Sequence, residues 1–176
     1  MTVTGFVLLG SLSAFAASND ELVSDAEATV QTFKQKDPKF DKFFSTASGY
    51  ADFPTVAKGG FIVGGAGGDG VLFVGGKPVG TANMGQASVG LRLGGQTYSE
   101  IIFFENPSTL SDFKNGHFQL GAQATAAAIS AGASADANYT RGVAVFTMTK
   151  AGLMYEASVG GQKFTFHPFT GSSAQR

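Results

Sequence analysis

The sequence predicts an α+β fold: a curled antiparallel β-sheet or partial barrel of about six to eight strands, with N-terminal amphipathic helices and one short connecting helix. Three observations carry this. More than half of the 25 glycines lie between Gly59 and Gly95, around short apolar clusters such as Val71-Leu72-Phe73-Val74 and Ile101-Ile102-Phe103-Phe104. Runs this short, β-branched or aromatic and bounded by glycine, are strands of a compact sheet. Before them, apolar residues fall at helical spacing; after them, alternation takes over. The 176 residues suit one domain: 1–16 a leader, 17–48 a helical part, 49–176 a glycine-rich β body.

Taken in order, Gly5–Ala17 is uncharged and apolar, and Ala14-Phe15-Ala16 offers an A-x-A cleavage site. This predicts a secretory signal peptide, although no Lys or Arg precedes the apolar run. Ser18-Asn19-Asp20-Glu21 matches a capping box, which predicts a helix start there. Leu22, Ala26, Val30 and Phe33 form its apolar stripe, with acids early and Lys34 and Lys36 late, complementing the helix dipole. Asp37-Pro38 predicts a capped second helix with Phe40, Phe43, Phe44 and Ala47 inward and Gly49 as its end.

In the glycine-rich stretch, Gly65-Ala66-Gly67-Gly68-Asp69-Gly70 satisfies G-x-G-x-x-G, but a strand-like run follows where a dinucleotide site needs a helix. Asp69-Gly70 reads instead as a hairpin turn. Gly80, Gly85, Gly90 and Gly95 recur every five residues, a period that suits bulges or bends in a curled sheet. Residues 107–116 predict a short helix, capped by Ser108 or Thr109, with Leu110 and Phe113 inward and Gly116 terminating it. Residues 117–126 alternate as a strand, and Gly142–Thr149, Gly152–Val159 and Gln162–Phe169 close the chain as three more.

Composition narrows the function. Net charge is −1, which recruits no nucleic acid. Charged residues make up 14% and hydrophobic residues 43%, a globular balance far from disorder. Without cysteine the chain has neither disulfide nor thiolate chemistry, and His117 and His167 lack metal-ligand spacing. Ser88 and Ser158 sit in A-S-V-G, not G-x-S-x-G. We therefore expect no enzyme, no cofactor and no metal; a hydrolase with an unrecognised site is the remote alternative.

One concentration of residues points to a surface. Lys34, Lys36, Lys39 and Lys42 interleave with Phe33, Phe40, Phe43 and Phe44. Lysines on anionic headgroups and phenylalanines at the acyl boundary would make a membrane contact. An amphipathic helix pair with its aromatic side packed on the sheet gives the same pattern.

Several segments together resemble the SYLF domain family, a lipid-binding module. Residues 49–73, GYADFPTVAKGGFIVGGAGGDGVLF, resemble its opening G-Y-A-x-F-P-x-V-x-K-G-G-F signature. ASVGLRLGGQTYSEIIFF (87–104), Phe118-Gln119-Leu120-Gly121-Ala122 and Ala151–Ser158 resemble later segments in the family's order. The likeness runs from about Leu22 to Phe169. It implies a lipid or membrane-surface function, ascribed in the family to the basic N-terminal part, here Lys34, Lys36, Lys39 and Lys42. Lys58 matches the signature lysine. Eukaryotic members bind phosphoinositides and are linked to actin; bacterial members are small exported proteins. The resemblance therefore implies an envelope protein, periplasmic or membrane-associated, whose partner is an anionic phospholipid surface. The small-residue stretch 131–138 keeps a structural, self-associating role as the alternative.

Overall fold

A computed structural model describes residues 10–59, 64–88, 96–120, 126–128, 138–149, 152–156 and 162–170. Gly90, Gly95 and all but the last residue of the small-residue stretch 131–138 lie outside them. Helix α1 spans Gly10–Lys36, a 3-10 turn spans Pro38–Phe40, and α2 spans Asp41–Thr46. The strands follow as β1 (Gly49–Gly59), β2 (Gly64–Val74), β3 (Lys77–Ser88) and β4 (Gln96–Phe104). Helix α3 (Pro107–Lys114) separates these from β5 (Gln119–Leu120), β6 (Ala126–Ala128), β7 (Val143–Thr149), β8 (Gly152–Glu156) and β9 (Gln162–Pro168). They form one antiparallel sheet of nine strands in the order β5-β9-β3-β2-β1-β4-β7-β8-β6. The count exceeds the six to eight expected because β5 and β6 are short edge pieces of the alternating stretch.

The sheet is curled. In the strand order, four inter-strand spacings separate β9 from β4, which on a flat sheet would be roughly 19 Å. Yet Gln162 Nε2 on β9 donates to Glu100 Oε2 on β4 at 3.1 Å. Phe53 on β1 and Phe164 on β9 likewise bring their ring centroids to 5.8 Å. Chain connectivity agrees: Leu120 and Ala126 belong to opposite edge strands, and a chain of six residue steps spans at most about 21 Å. The edges do not pair with each other, so the sheet is not closed into a barrel.

Curling divides the core in two. The concave face holds Ala51, Phe53, Leu72, Ile102, Phe104 and Phe164, with Leu110 and Phe113 of α3 packed in. The convex face carries Tyr50, Val71, Phe73, Ile101, Phe103 and Phe146, covered by Ala26, Val30 and Phe33 of α1 and by Phe40 and Phe43. Alternation assigns each side chain: on β1, Tyr50 faces the helices and Ala51 and Phe53 face the concavity.

Several local expectations change. Helix α1 continues through Ser18 back to Gly10, so Ser18 caps nothing and no acid lies in the first turn. Ala14, Ala16 and Ala17 precede it, and alanine propagates a helix better than serine stops one. The basic last turn, Lys34 and Lys36, is as expected. Asp37 does cap, its side chain accepting from the Lys39 amide at 3.0 Å, but α2 stops at Thr46 and Gly49 already belongs to β1. Asp69-Gly70 is interior to β2; the reversal falls at Gly75-Gly76, whose φ values of 60° and 76° suit a tight hairpin. The G-x-G-x-x-G run is thus strand. Asn106, not Ser108 or Thr109, caps α3, accepting from the Thr109 amide at 3.0 Å. Gly116 closes that helix at φ 71° as expected.

Two strand glycines give contrasting tests. A Cβ at Gly70 would lie 2.5 Å from the Asp52 carbonyl oxygen and 2.5 Å from Phe53 Cδ1, whereas one at Gly85 meets nothing within 4 Å. Gly70→Ala should cost about 1–3 kcal/mol in urea unfolding, and Gly85→Ala should stay within about 0.5 kcal/mol of the parent.

Candidate functional site

The lysine–phenylalanine segment is built by the junction of α1, the 3-10 turn and α2. The aromatic half of it is internal. Phe40 is fully buried, its ring 4.6 Å from Phe146 and 5.6 Å from Phe33, both edge-on. Phe43 is buried against Phe103 at 5.3 Å and Phe146 at 5.2 Å. Phe44 remains half-buried, edge-on to Tyr50 at 5.0 Å. Phe40 and Phe43, expected at an acyl boundary, instead clasp the helices to the convex face. Aromatic pairs of this geometry add about 0.5–1.5 kcal/mol each beyond burial.

The lysines line the outside of this clasp. Lys34 Nζ sits 4.7 Å above the Phe44 ring and 3.7 Å from Asp41 Oδ1. Lys42 Nζ sits 4.8 Å above Phe43. Both set the ammonium itself over a ring face, a cation–π contact. Lys36 and Lys39 are exposed. Asp37, which would dilute the patch, is buried as a cap. The exposed acids of α1, Asp20, Glu21, Asp25 and Glu27, precede Val30, and the lysines follow it, so charge is segregated along the helix. Lys58 is not brought to this cluster. It lies on β1 opposite Ala66 and Gln96, nine residues beyond Gly49, roughly 30 Å along the strand. Its side chain is outside the described residues.

The other candidates are dispersed. His117 and His167 are both exposed, on the loop after α3 and on β9. Ser88 ends β3, and Ser158 lies outside the described residues. Among the described residues no group of three His, Cys, Asp or Glu side chains could hold a metal ion, and no helix is long and apolar enough to cross a membrane. A shallow groove beside the β1 irregularity is lined by Pro54, Thr55, Thr97, Ser99 and Met148. Ser99 Oγ there donates to the Pro54 carbonyl at 2.7 Å, holding the bend.

Two buried polar features escaped the sequence analysis. Glu100 and Gln162 join across the concavity. Asp52 is fully buried on the convex side, and burial holds its carboxyl well above the usual aspartate range. Burial, then the negative charges of Asp52 and Glu27, push neighbouring Tyr50 up to about 12. Alternation alone places Asp52 on the Tyr50 face; that a helix covers that face is not local information.

A family model described as Las17-binding protein actin regulator (Ysc84) matches residues 85–168, which include the end of β3, all of β4, α3 and the strands after it. No curated protein matches the chain. The geometry separates the two roles within the junction. Phe40→Ala should cost about 3–5 kcal/mol in denaturant unfolding. Substituting exposed Lys39 by Gln should leave the unfolding midpoint within experimental scatter.

Proposed function

The chain carries a domain of the SYLF (Ysc84) family, matched over residues 85–168, and on that premise we propose that it is a non-enzymatic protein that binds anionic membrane surfaces through the lysines of the α1–α2 junction. The family is a lipid-binding one, which supports a membrane partner. What supports these particular residues is the exposure of Lys36, Lys39 and Lys42, with half-buried Lys34 beside them, on a junction whose Phe40 and Phe43 are turned inward. Such a surface docks on headgroups by charge and does not insert its rings. Phe44, half-buried under Lys34, is the ring nearest to the headgroup layer in this mode.

The contact is electrostatic, so it weakens with salt as the Debye length falls to about 10 Å at 0.1 M. Each lysine near an anionic surface contributes about 1 kcal/mol. Lys34 shares its charge with Asp41, so Lys36, Lys39 and Lys42 carry most of the attraction. The apolar leader-like start supports an exported protein of the bacterial envelope, mature from about Ala17, with the periplasm as its compartment.

Co-sedimentation with phosphatidylglycerol-containing and with purely zwitterionic vesicles tests the contact. We expect binding to the anionic vesicles that fades across a salt series. The triple variant Lys36→Gln, Lys39→Gln, Lys42→Gln should bind them about a hundredfold more weakly at low salt. Unchanged affinity in that variant overturns the lysine contact. Absence of binding, together with concentration-dependent assembly in ultracentrifugation, would favour self-association instead.

A further inference from the structure

The buried acids of the described core differ in how they are held. Asp37 caps the 3-10 turn and Glu100 accepts a hydrogen bond from Gln162. Asp52 is fully buried, yet neither Oδ1 nor Oδ2 has a hydrogen-bond partner among the described residues. An ionised carboxylate in that position would be uncompensated, and such a group neutralises or forces its surroundings open.

Its surroundings identify what would open. Asp52 lies in register with Val71 on β2 and Ile101 on β4, the two strands that flank β1. Helix α1 packs over β1 and β2 and presents Ala26 and Val30 to the convex face. On the far side of Ile101, β7 adds Ala144 and Phe146, and α2 adds Phe43. The ionisable groups around it are acids. Tyr50 shares its strand and face, and Glu27 is the α1 carboxylate whose charge reaches Tyr50. Asp69 on β2 is exposed and bonded to Asn83. Glu100 on β4 is turned to the opposite face, towards Gln162. The lysines of α1 lie in its last turn, and α2's Lys42 lies over Phe43.

We propose that Asp52 is a proton-operated latch for α1: as a neutral acid it lets the helix lie on the sheet, and as an anion it loosens the helix and uncovers the aromatic face beneath. The direction follows from linkage. With α1 docked, burial holds the carboxyl well above the ordinary range. With α1 displaced, it meets water and returns to about 4. Between those two values the docked form binds one proton more than the open form. Docking is therefore strongest below the ordinary aspartate value. It weakens as pH rises towards the docked-state value, and stays at the weaker level above it. What opens is the part of the convex face that α1 covers on β1 and β2, the apolar surface around Tyr50, Val71 and Phe73. The latch rests on the burial of Asp52 and stands apart from the lysine contact.

Hydrogen exchange followed by mass spectrometry on the full chain tests it without lipid. Protection of residues 22–36 is measured from pH 5 to pH 9, corrected for the intrinsic exchange rate, with β4 as internal reference. The parent should lose α1 protection as pH rises, by no more than about tenfold per pH unit, the limit for one proton. Asp52→Asn and Asp52→Leu should both hold α1 more tightly at neutral pH and show no pH slope. Flat protection in the parent, or the same slope in both variants, overturns the latch. Using an amide and an apolar replacement keeps the test valid should either one fail to fold.

Discussion

The curl of the sheet is the constraint on which the rest depends. Its clearest mark is the hydrogen bond between Gln162 and Glu100, two fully buried groups on strands that a flat sheet would hold far apart. A buried carboxylate needs such a donor, since its desolvation is otherwise uncompensated. The Phe53–Phe164 contact spans the same interior with apolar area. Together they commit one face to a concavity large enough to take the apolar side of α3 and Phe118. Glycine makes the bend feasible: at Gly70 and Gly80 a side chain would collide with a neighbouring backbone carbonyl and an aromatic ring.

Once one face is concave, the other is convex and broad, and its aromatic residues must be covered. The segment before β1 does this with a long helix, a capped 3-10 turn and a short helix that together lay Phe40 and Phe43 on Phe103 and Phe146, with Phe33 edge-on to Phe40. This has a functional consequence. The rings are spent on holding the helices, and Lys36, Lys39 and Lys42 are what the junction exposes to solvent. The same covering encloses Asp52, so the stability of the helix contact is tied to the protonation of one side chain.

Much of this was legible in the residue order. Short apolar runs bounded by glycine marked the strands, and the periodic stripe Ala26, Val30, Phe33 marked α1, because both patterns reflect local geometry. Strand boundaries at Gly152 and Gln162 and the inward pair Leu110 and Phe113 followed for the same reason. The family likeness was legible as well, since it resides in ordered signature segments. Boundaries were less so. Ser18 had the form of a cap but stood within a longer helix, and Asp69-Gly70 had the form of a turn but lay inside β2. A local signal of that kind competes with whatever its neighbours propagate, and there the neighbours won.

By itself, then, the sequence determined the fold class, the helical preface, the glycine-rich sheet, the lack of thiol chemistry and the concentration of lysine and phenylalanine before β1. It left open whether those phenylalanines face lipid or sheet, because an amphipathic stripe is the same in either case. Only the tertiary structure decided that, by bringing Phe103 and Phe146 from β4 and β7 under Phe40 and Phe43. It also decided that Asp52 is dry and that Glu100 meets Gln162. Burial of a strand residue depends on what packs over its face, and contacts between residues 62 apart in sequence depend on how far the sheet bends. Neither is written in any local run of residues.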